Sequence, residues 1–348
     1  LNYTQPIRAY NALKWRKKTA PLQYENAQRA YLETMQDITI NVTNLFFTVL
    51  SAQENYRQSV ADYEDRKHLF EIAKKRLDLG TTTKSEVLQM ELSLLNAKMS
   101  VNSTSLTLRT QLFSLFSYLR IVDYGDIELL PPYYMPEIEM NAEQVLDKAW
   151  TGSSHSIEQQ LNLLESQRAL AEAKANRGLQ VEFRGRLGLS QSANELPAAY
   201  RRLKDYETVG LTMTIPIYDW GMGRGKVRMA KTDVEITKTQ IEQANIEFAH
   251  DVRTKVLQFN NQAEQCKTSL RAQDIAAERY DIMKKRFENG SVTVTELNTA
   301  QEEFESAQHQ YISQLQQFWT DYYGIQKLTL YDFIRKENIG VNFNDLVN

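Results

Sequence analysis

Residues 209–221 read VGLTMTIPIYDWG. Val209, Leu211, Met213 and Ile215 are apolar and alternate with Gly210, Thr212 and Thr214. This period of two predicts a strand with one greasy face and one polar face. Pro216 closes the ladder because it has no N–H to donate. Beyond Gly225 a helical pattern begins and continues for many turns. Gly221, Gly223 and Gly225 lack the Walker spacing and its Ser/Thr, so they read as a strand-to-helix bend rather than a phosphate loop.

The same junction occurs at the start of the chain, where Leu1 to Ile7 match Leu211 to Ile217 at an offset of 210 residues. In that register Thr4/Thr214, Pro6/Pro216, Ile7/Ile217, Glu25/Glu235, Val42/Val252, Arg76/Arg286, Gly80/Gly290 and Glu86/Glu296 are identical pairs. A duplication of this length without insertions means that the chain repeats one structural unit.

Each copy predicts a long helix, the first from about Asn11 to Leu79 with Pro21 as its only proline. Tyr24, Tyr31 and Ile38 are spaced by sevens; after a step of four, Val42, Val49, Tyr56, Tyr63, Phe70 and Leu77 continue by sevens. The second copy places its step of four at the same point, with Val227, Val234, Ile241 and Phe248 before it and Val252, Phe259, Cys266, Gln273, Tyr280 and Phe287 after it. Sevens imply a left-handed seam packed against other helices, and the inserted four residues unwind it locally. A helix near seventy residues spans on the order of 100 Å, which a compact soluble domain cannot house.

The long helices stop at Leu79-Gly80-Thr81 and Asn289-Gly290-Ser291, where glycine suits the left-handed position after a helix. Return helices follow, with Val87, Leu94, Val101, Leu108 and Leu115 by sevens in one and Leu297, Phe304, Tyr311, Phe318 and Ile325 in the other. Between the copies lie Pro131, Pro132 and Pro136, a capping box at Asn141 to Gln144, and an amphipathic helix marked by Ile157, Leu161, Leu164, Ala171 and Ala175. Val181 to Leu189 then alternate Val, Phe, Gly, Leu and Leu with Glu182, Arg184, Arg186 and Gly188. That strand pairs with the one at Val209 across a polar loop containing Tyr200, Arg201, Arg202 and Asp205. The repeat predicts a further strand preceding residue 1. Charges in a row are costly inside a packed sandwich but not against a wet lumen with the other face in lipid. Four strands cannot close a membrane barrel, so the membrane reading needs several copies of the chain.

The formal charge of −3 gives no reason to expect a nucleic-acid partner, and one cysteine, Cys266, excludes an intramolecular disulfide framework. No run is apolar enough for a spanning helix, which says nothing about a β-barrel. His68, His155, His250 and His309 are scattered, with no zincin motif, catalytic triad or metal spacing, so no enzyme, cofactor or metal is expected.

These features together resemble the TolC-like outer-membrane efflux protein family, also called outer membrane factors. The resemblance rests on the duplicated strand–helix–glycine–helix plan, on IPIYDWG before the second long helix and QPI before the first, and on the RLDLGTTTKSEVL and RFENGSVTVTELN turns. It implies a mainly α fold with a small β part: a homotrimer whose four strands per chain form a 12-stranded transmembrane β-barrel on a periplasmic α-helical barrel. The expected divisions are 1–121, the first repeat; 122–180, an equatorial connection and lead-in helix; 181–217, the barrel hairpin; 218–331, the second helical hairpin; and 332–348, the tail.

The implied function is a passive exit duct in the Gram-negative outer membrane, extending into the periplasm, for tripartite efflux or type I secretion. The implied partners are outer-membrane lipid, a periplasmic adaptor and an inner-membrane transporter. Leu79, Gly80, Thr81, Asn289, Gly290 and Ser291 would be the adaptor-contacting tip, with plain turn chemistry as the simpler explanation. Glu86 and Glu296, six positions after each glycine, would form a channel constriction; three copies around an axis would repel, raise their pKa and attract cations. The simpler explanation is a solvated carboxylate near a helix start. The family's second acidic position is occupied by Gln89 and Thr299 and its basic latch position by Thr82 and Val292, leaving Lys84, Arg76 or Arg286 as substitutes. Tyr3, Tyr218 and Trp220 are expected as membrane-interface aromatics, with Trp15 further from its strand, or else they pack the junction. Met213 is expected in lipid near the bilayer midplane and Thr212 toward the lumen. The rival architecture, a soluble coiled-coil scaffold or membrane-curving helical dimer, has no use for the two strands.

Overall fold

In a computed structural model of the protein the described residues are 1–122, 125, 127–130, 135–190, 204–289 and 291–343. Pro131 and Pro132, the loop residues Tyr200, Arg201 and Arg202, and the tip residue Gly290 lie outside them. The chain comprises two units, one of Leu1–Tyr31, Trp150–Asp251 and Asn342–Asn348, the other of Leu32–Ala149 and Val252–Val341.

The first unit holds a three-stranded antiparallel sheet, β1 (Asn2–Arg8), β2 (Gln180–Ser190) and β3 (Lys204–Thr214), in the order β1-β2-β3. Val181 faces Met213, Phe183 faces Leu211 and Gly185 faces Val209, while Glu182 faces Thr212 and Arg184 faces Gly210. Side chains alternate across the pleat, so this register gathers Val181, Phe183, Val209, Leu211 and Met213 on one face and Glu182, Arg184 and Arg186 on the other, while at the far end of the first face Glu207 and Asp205 stand across from Leu187 and Leu189. β1 extends both faces, with Tyr3 beside Gly185 and Thr4 beside Arg184, and a bulge follows Pro6 where the ring removes a donor. The observed partner of the first repeat's strand is thus β2 of the second repeat, a pairing the repeat logic alone did not specify. Among the described residues nothing covers the apolar face of β3: Val209, Leu211 and Met213 are 74%, 59% and 57% exposed.

The long helices are α1 (Ala12–Asp78) and, after α2 (Lys84–Tyr118), α3 (Ala142–Gly152) and α4 (His155–Arg177), α5 (Met222–Glu288); α6 (Val294–Thr329) is the second return helix. α1 and α5 each contain 67 residues, and both of their ends are related by the offset of 210. Pro21 sits inside α1, and near it the Thr19 hydroxyl donates to the Trp15 carbonyl at 3.2 Å.

In the second unit the core forms where α1, α5 and α6 meet, around Phe47, Leu50, Cys266, Ile312 and Leu315. Val252, Phe259, Cys266, Phe318 and Ile325, all on the seven-residue stripes, are fully buried. Burial also pushes the Cys266 thiol up to about 11. Full burial of each such side chain contributes roughly 1.5–3 kcal/mol. The stripe before the step of four in the first copy behaves differently: Tyr24, Tyr31 and Ile38 remain exposed. The covered line on that stretch of α1 runs through Thr19, Leu32 and Gln36 instead. Helix periodicity fixes a stripe but not which neighbour covers it; here Phe343 stands edge-on to Tyr31.

Two amide side chains clamp the connection after α2. Gln53 both donates to and accepts from the Leu129 backbone, at 2.9 Å each way, and Asn260 does the same for Met140 at 2.9 and 3.0 Å. Asn141 caps α3, accepting from Glu143 and Gln144 N–H. α6 ends at Leu330 in the left-handed region, and the Tyr322 hydroxyl donates to Asp332 at 2.7 Å at the start of a short hairpin, β4 (Tyr331–Asp332) with β5 (Glu337–Asn338).

Candidate functional site: the helical tips and the strand–helix junction

The tip lies in the second unit. At the end of α1, Thr81 N–H donates to the Arg76 carbonyl at 2.9 Å and Gly80 N–H to Leu77 at 2.9 Å, with Gly80 at φ 69°. This is the double hydrogen bond of a Schellman stop, and it needs a residue that tolerates the left-handed region. The second copy repeats the outer bond, Ser291 N–H to the Arg286 carbonyl at 2.9 Å. Leu79, Gly80, Thr81, Asn289 and Ser291 are all exposed, which leaves this surface open to a partner.

Glu86 and Glu296 occupy the third position of the return helices and close reciprocal capping boxes with Thr83 and Thr293. Glu86 N–H donates to Thr83 Oγ1 at 3.2 Å, and Thr83 N–H donates back to the Glu86 carboxylate at 3.1 Å. The Thr82 hydroxyl also donates to that carboxylate. Thr293 and Glu296 repeat the exchange at 2.7 and 3.3 Å. The Thr82 hydroxyl and Thr83 N–H hold the Glu86 carboxyl below the ordinary carboxylate range. The N–H and hydroxyl of Thr293, with Arg286 nearby, do the same for Glu296. Within one chain the shift is therefore opposite to the one expected for a ring of repelling carboxylates, because the neighbours are donors rather than like charges. The capping threonines escaped the sequence reading although the T-x-x-E spacing announces them.

Several turns from the tip, polar side chains tie the two hairpins together. Lys284 Nζ reaches both oxygens of Asp65 at 2.8 Å and the Tyr280 hydroxyl donates to the same carboxylate at 3.3 Å. Gln301 donates to Asp62 at 2.7 Å, and Arg66 holds Asp62 and the Ser93 hydroxyl. Burial, reinforced by Asp65, pushes the Tyr280 phenol well up. Tyr280 reads in the sequence as a packing residue only; its hydrogen-bond partner Asp65 lies 215 residues away along the chain and leaves no local signal.

At the junction in the first unit, Asp219 Oδ1 accepts Gly221 N–H at 3.0 Å and Oδ2 accepts Gly223 N–H at 2.7 Å, which holds its carboxyl low. Gly221 has φ 82°, and a Cβ on Gly223 would sit 2.6 Å from Asp219 Oδ2 and 3.1 Å from Arg177 Cγ. The bend expected from the three glycines is thus built by the first two around an aspartate, whereas Gly225 has open space. Tyr218 and Trp220 meet edge-on at 4.7 Å and stand 71% and 86% exposed. Tyr3 is not with them: it packs on Phe183 in mid-sheet, opposite Gly185. Met213 pairs with Val181 next to the last rung of the ladder, Gln180 with Thr214, and Leu211 pairs with Phe183 two rungs further in.

Among the described residues no three His, Cys, Asp or Glu side chains converge as metal ligands, and no helix is long and apolar enough to cross a membrane.

The family model described as outer membrane efflux protein matches residues 1–119 and 153–329. The fold is similar to the Campylobacter jejuni CmeC outer membrane channel, at 14% identity and TM-score 0.72 over 99% of this chain and 72% of that one. It is similar to the Neisseria gonorrhoeae MtrE outer membrane channel in its open state, at 13% identity and TM-score 0.71, covering 94% and 73%. The outer membrane protein VceC of Vibrio cholerae matches at 13% identity and TM-score 0.67, covering 94% and 77%. No curated protein sequence matches the chain at a significant level. The chain belongs to the outer membrane efflux protein family.

Proposed function

We propose that this outer-membrane efflux protein is the passive exit duct of a tripartite efflux or type I secretion system. Three copies would pool their strands in one 12-stranded barrel, each chain completing a fourth strand, and their long helices would line a tube through the periplasm. A periplasmic adaptor would dock at Leu79, Gly80, Thr81, Asn289, Gly290 and Ser291 and couple the duct to an inner-membrane transporter. The repeats, at 1–121 and 218–331, would supply equivalent parts of the tube.

The observation that carries this reading is the amphipathic sheet. A contiguous exposed apolar face of this kind is a liability in water but suits lipid. The opposite face, with Glu182, Arg184 and Arg186, suits a water-filled lumen. A coiled-coil scaffold would leave that sheet unexplained. Glu86 and Glu296 would stand near the narrow end of the tube. There the trimer would set their carboxylates against one another, in competition with the capping boxes that lower their pKa in the single chain. Single-channel recording in planar bilayers tests the duct and its constriction together. The protein is expected to conduct, and Glu296→Gln to weaken block by multivalent cations. No conductance would overturn the duct; unchanged block would remove Glu296 from the constriction.

A further inference from the structure

β1 and β3 both run antiparallel to β2, so they finish at the same end of the sheet, where Arg8 stands level with Val181 and Thr214 with Gln180. With strands about 4.8 Å apart, the two ends lie about 10 Å from each other. Three helix ends therefore converge there: the starts of α1 and α5 and the finish of α4. All three are cationic. α1 opens with Lys14, Arg16, Lys17 and Lys18, α5 with Arg224, Lys226, Arg228 and Lys231, and α4 closes with Lys174 and Arg177. No Asp or Glu occurs in 12–24, 173–179 or 222–232.

Three of these positions obey the repeat: Lys14/Arg224, Arg16/Lys226 and Lys18/Arg228 are each separated by 210. The charge pattern thus recurs in both copies, although the chain as a whole carries −3. Lys14, Arg16, Lys17, Lys226, Arg228 and Lys231 are exposed and form no ion pair among the described residues. Of the nearby acids, Asp219 is already engaged by two backbone N–H groups and Glu182 by Arg184. Such crowding is unfavourable, and the positive ends of two helix dipoles add to it, so the arrangement calls for anions from outside the chain.

The surroundings say which anions. The apolar sheet face runs into the collar without a break through Met213, Ile215, Ile217, Tyr218 and Trp220, all more than half exposed. Exposed aromatics followed by basic residues are what the boundary between hydrocarbon and headgroups selects. We propose that this collar binds anionic glycerophospholipids, with the phosphates of phosphatidylglycerol-type headgroups lying against Lys14, Arg16, Lys226 and Arg228 on the helical side of the membrane. The inference rests on the outer-membrane reading above and adds to it a lipid preference and the residues that set it.

The test is native mass spectrometry of the detergent-purified protein titrated with dioleoyl phosphatidylglycerol or dioleoyl phosphatidylcholine. Wild type is expected to bind the anionic lipid about tenfold or more tightly, with the difference shrinking as salt rises. The quadruple variant Lys14→Gln, Arg16→Gln, Lys226→Gln, Arg228→Gln, at exposed positions and checked for unchanged oligomer mass, should bring the ratio close to one. A control removing as many charges elsewhere, Lys84→Gln, Lys98→Gln, Lys255→Gln, Lys267→Gln, should preserve it. Equal binding of the two lipids by wild type overturns the collar, as does equal loss in the control. Displacement by soluble glycerol phosphate overturns it too, since that would mean an isolated phosphate pocket. If the protein needs no detergent at all, the outer-membrane reading fails instead, so the two failures are distinguishable.

Discussion

Leu211→Arg places a charge on the apolar face at the middle of its rows. Leu211 is 59% exposed and pairs with Phe183. The rows of Val209 with Gly185 and Met213 with Val181 lie on either side, each two residues away along β3. At about 3.3 Å per residue and a tilt near 45°, each neighbouring row differs in depth by about 5 Å. A lipid-facing arginine costs about 2–4 kcal/mol at the midplane and falls to about 0–1 kcal/mol near the interface. Leu211→Arg should therefore cost about 2–3 kcal/mol, Met213→Arg, one row away and still inside the roughly 25 Å apolar band, about 2 kcal/mol, and Thr212→Arg less than about 1 kcal/mol. Thr212 lies on the opposite face, and an arginine there would stand directly across from Glu182. Equilibrium unfolding in guanidinium with lipid vesicles, followed by tryptophan fluorescence, resolves these values, because about 1.4 kcal/mol is tenfold in the equilibrium constant. Equal losses for Leu211→Arg and Thr212→Arg would refute the assignment of lipid and lumen faces.

Other substitutions probe the junction and the tips. Gly223→Ala forces its Cβ against Asp219 and Arg177 and should cost about 1–3 kcal/mol in the same unfolding assay, whereas Gly225→Ala, with open space in a helix, should be neutral or gain up to about 1 kcal/mol. Thr83→Ala and Thr293→Ala each remove a capping hydroxyl and should cost about 0.5–2 kcal/mol, read as faster amide exchange in the first turns of α2 and α6. Because the folded pKa values of Glu86 and Glu296 are depressed, their contribution is complete above the ordinary carboxylate pKa and is lost as pH falls through the folded value; tip exchange should therefore accelerate only on the acid side, and not in Glu86→Gln with Glu296→Gln. Asp65→Asn should bring the Tyr280 phenolate titration down while leaving it above a free tyrosine, since burial remains the larger cause; a titration that does not move would remove Asp65 from its surroundings.

Much of this fold is legible because it is periodic. The alternation in Val209 to Ile215 identifies a strand, and the offset of 210 transfers each landmark of one copy to the other, down to the limits of α1 and α5. Gly80 is legible because only a left-handed position explains a glycine between two helical patterns. What periodicity cannot supply is the identity of neighbours. Tyr24, Tyr31 and Ile38 share the spacing of the buried stripe yet stay exposed, because burial depends on what the other side offers. The ties of Asp65 to Tyr280 and Lys284 depend on two helices lying side by side, which no local pattern encodes. Register is equally hidden: only the ladder reveals that β1 joins β2, that Met213 stands at its end and that Tyr3 is separated from Tyr218 and Trp220. Asp219 could have been found, since an aspartate just before a glycine-rich helix start is a capping signal.

The most direct test of the exit duct is the native mass of the detergent-extracted complex, taken together with its conductance. A conducting species with three times the mass of the denatured single chain is the expected result. A detergent-free dimer without conductance would contradict it and return the long hairpins to the coiled-coil scaffold reading.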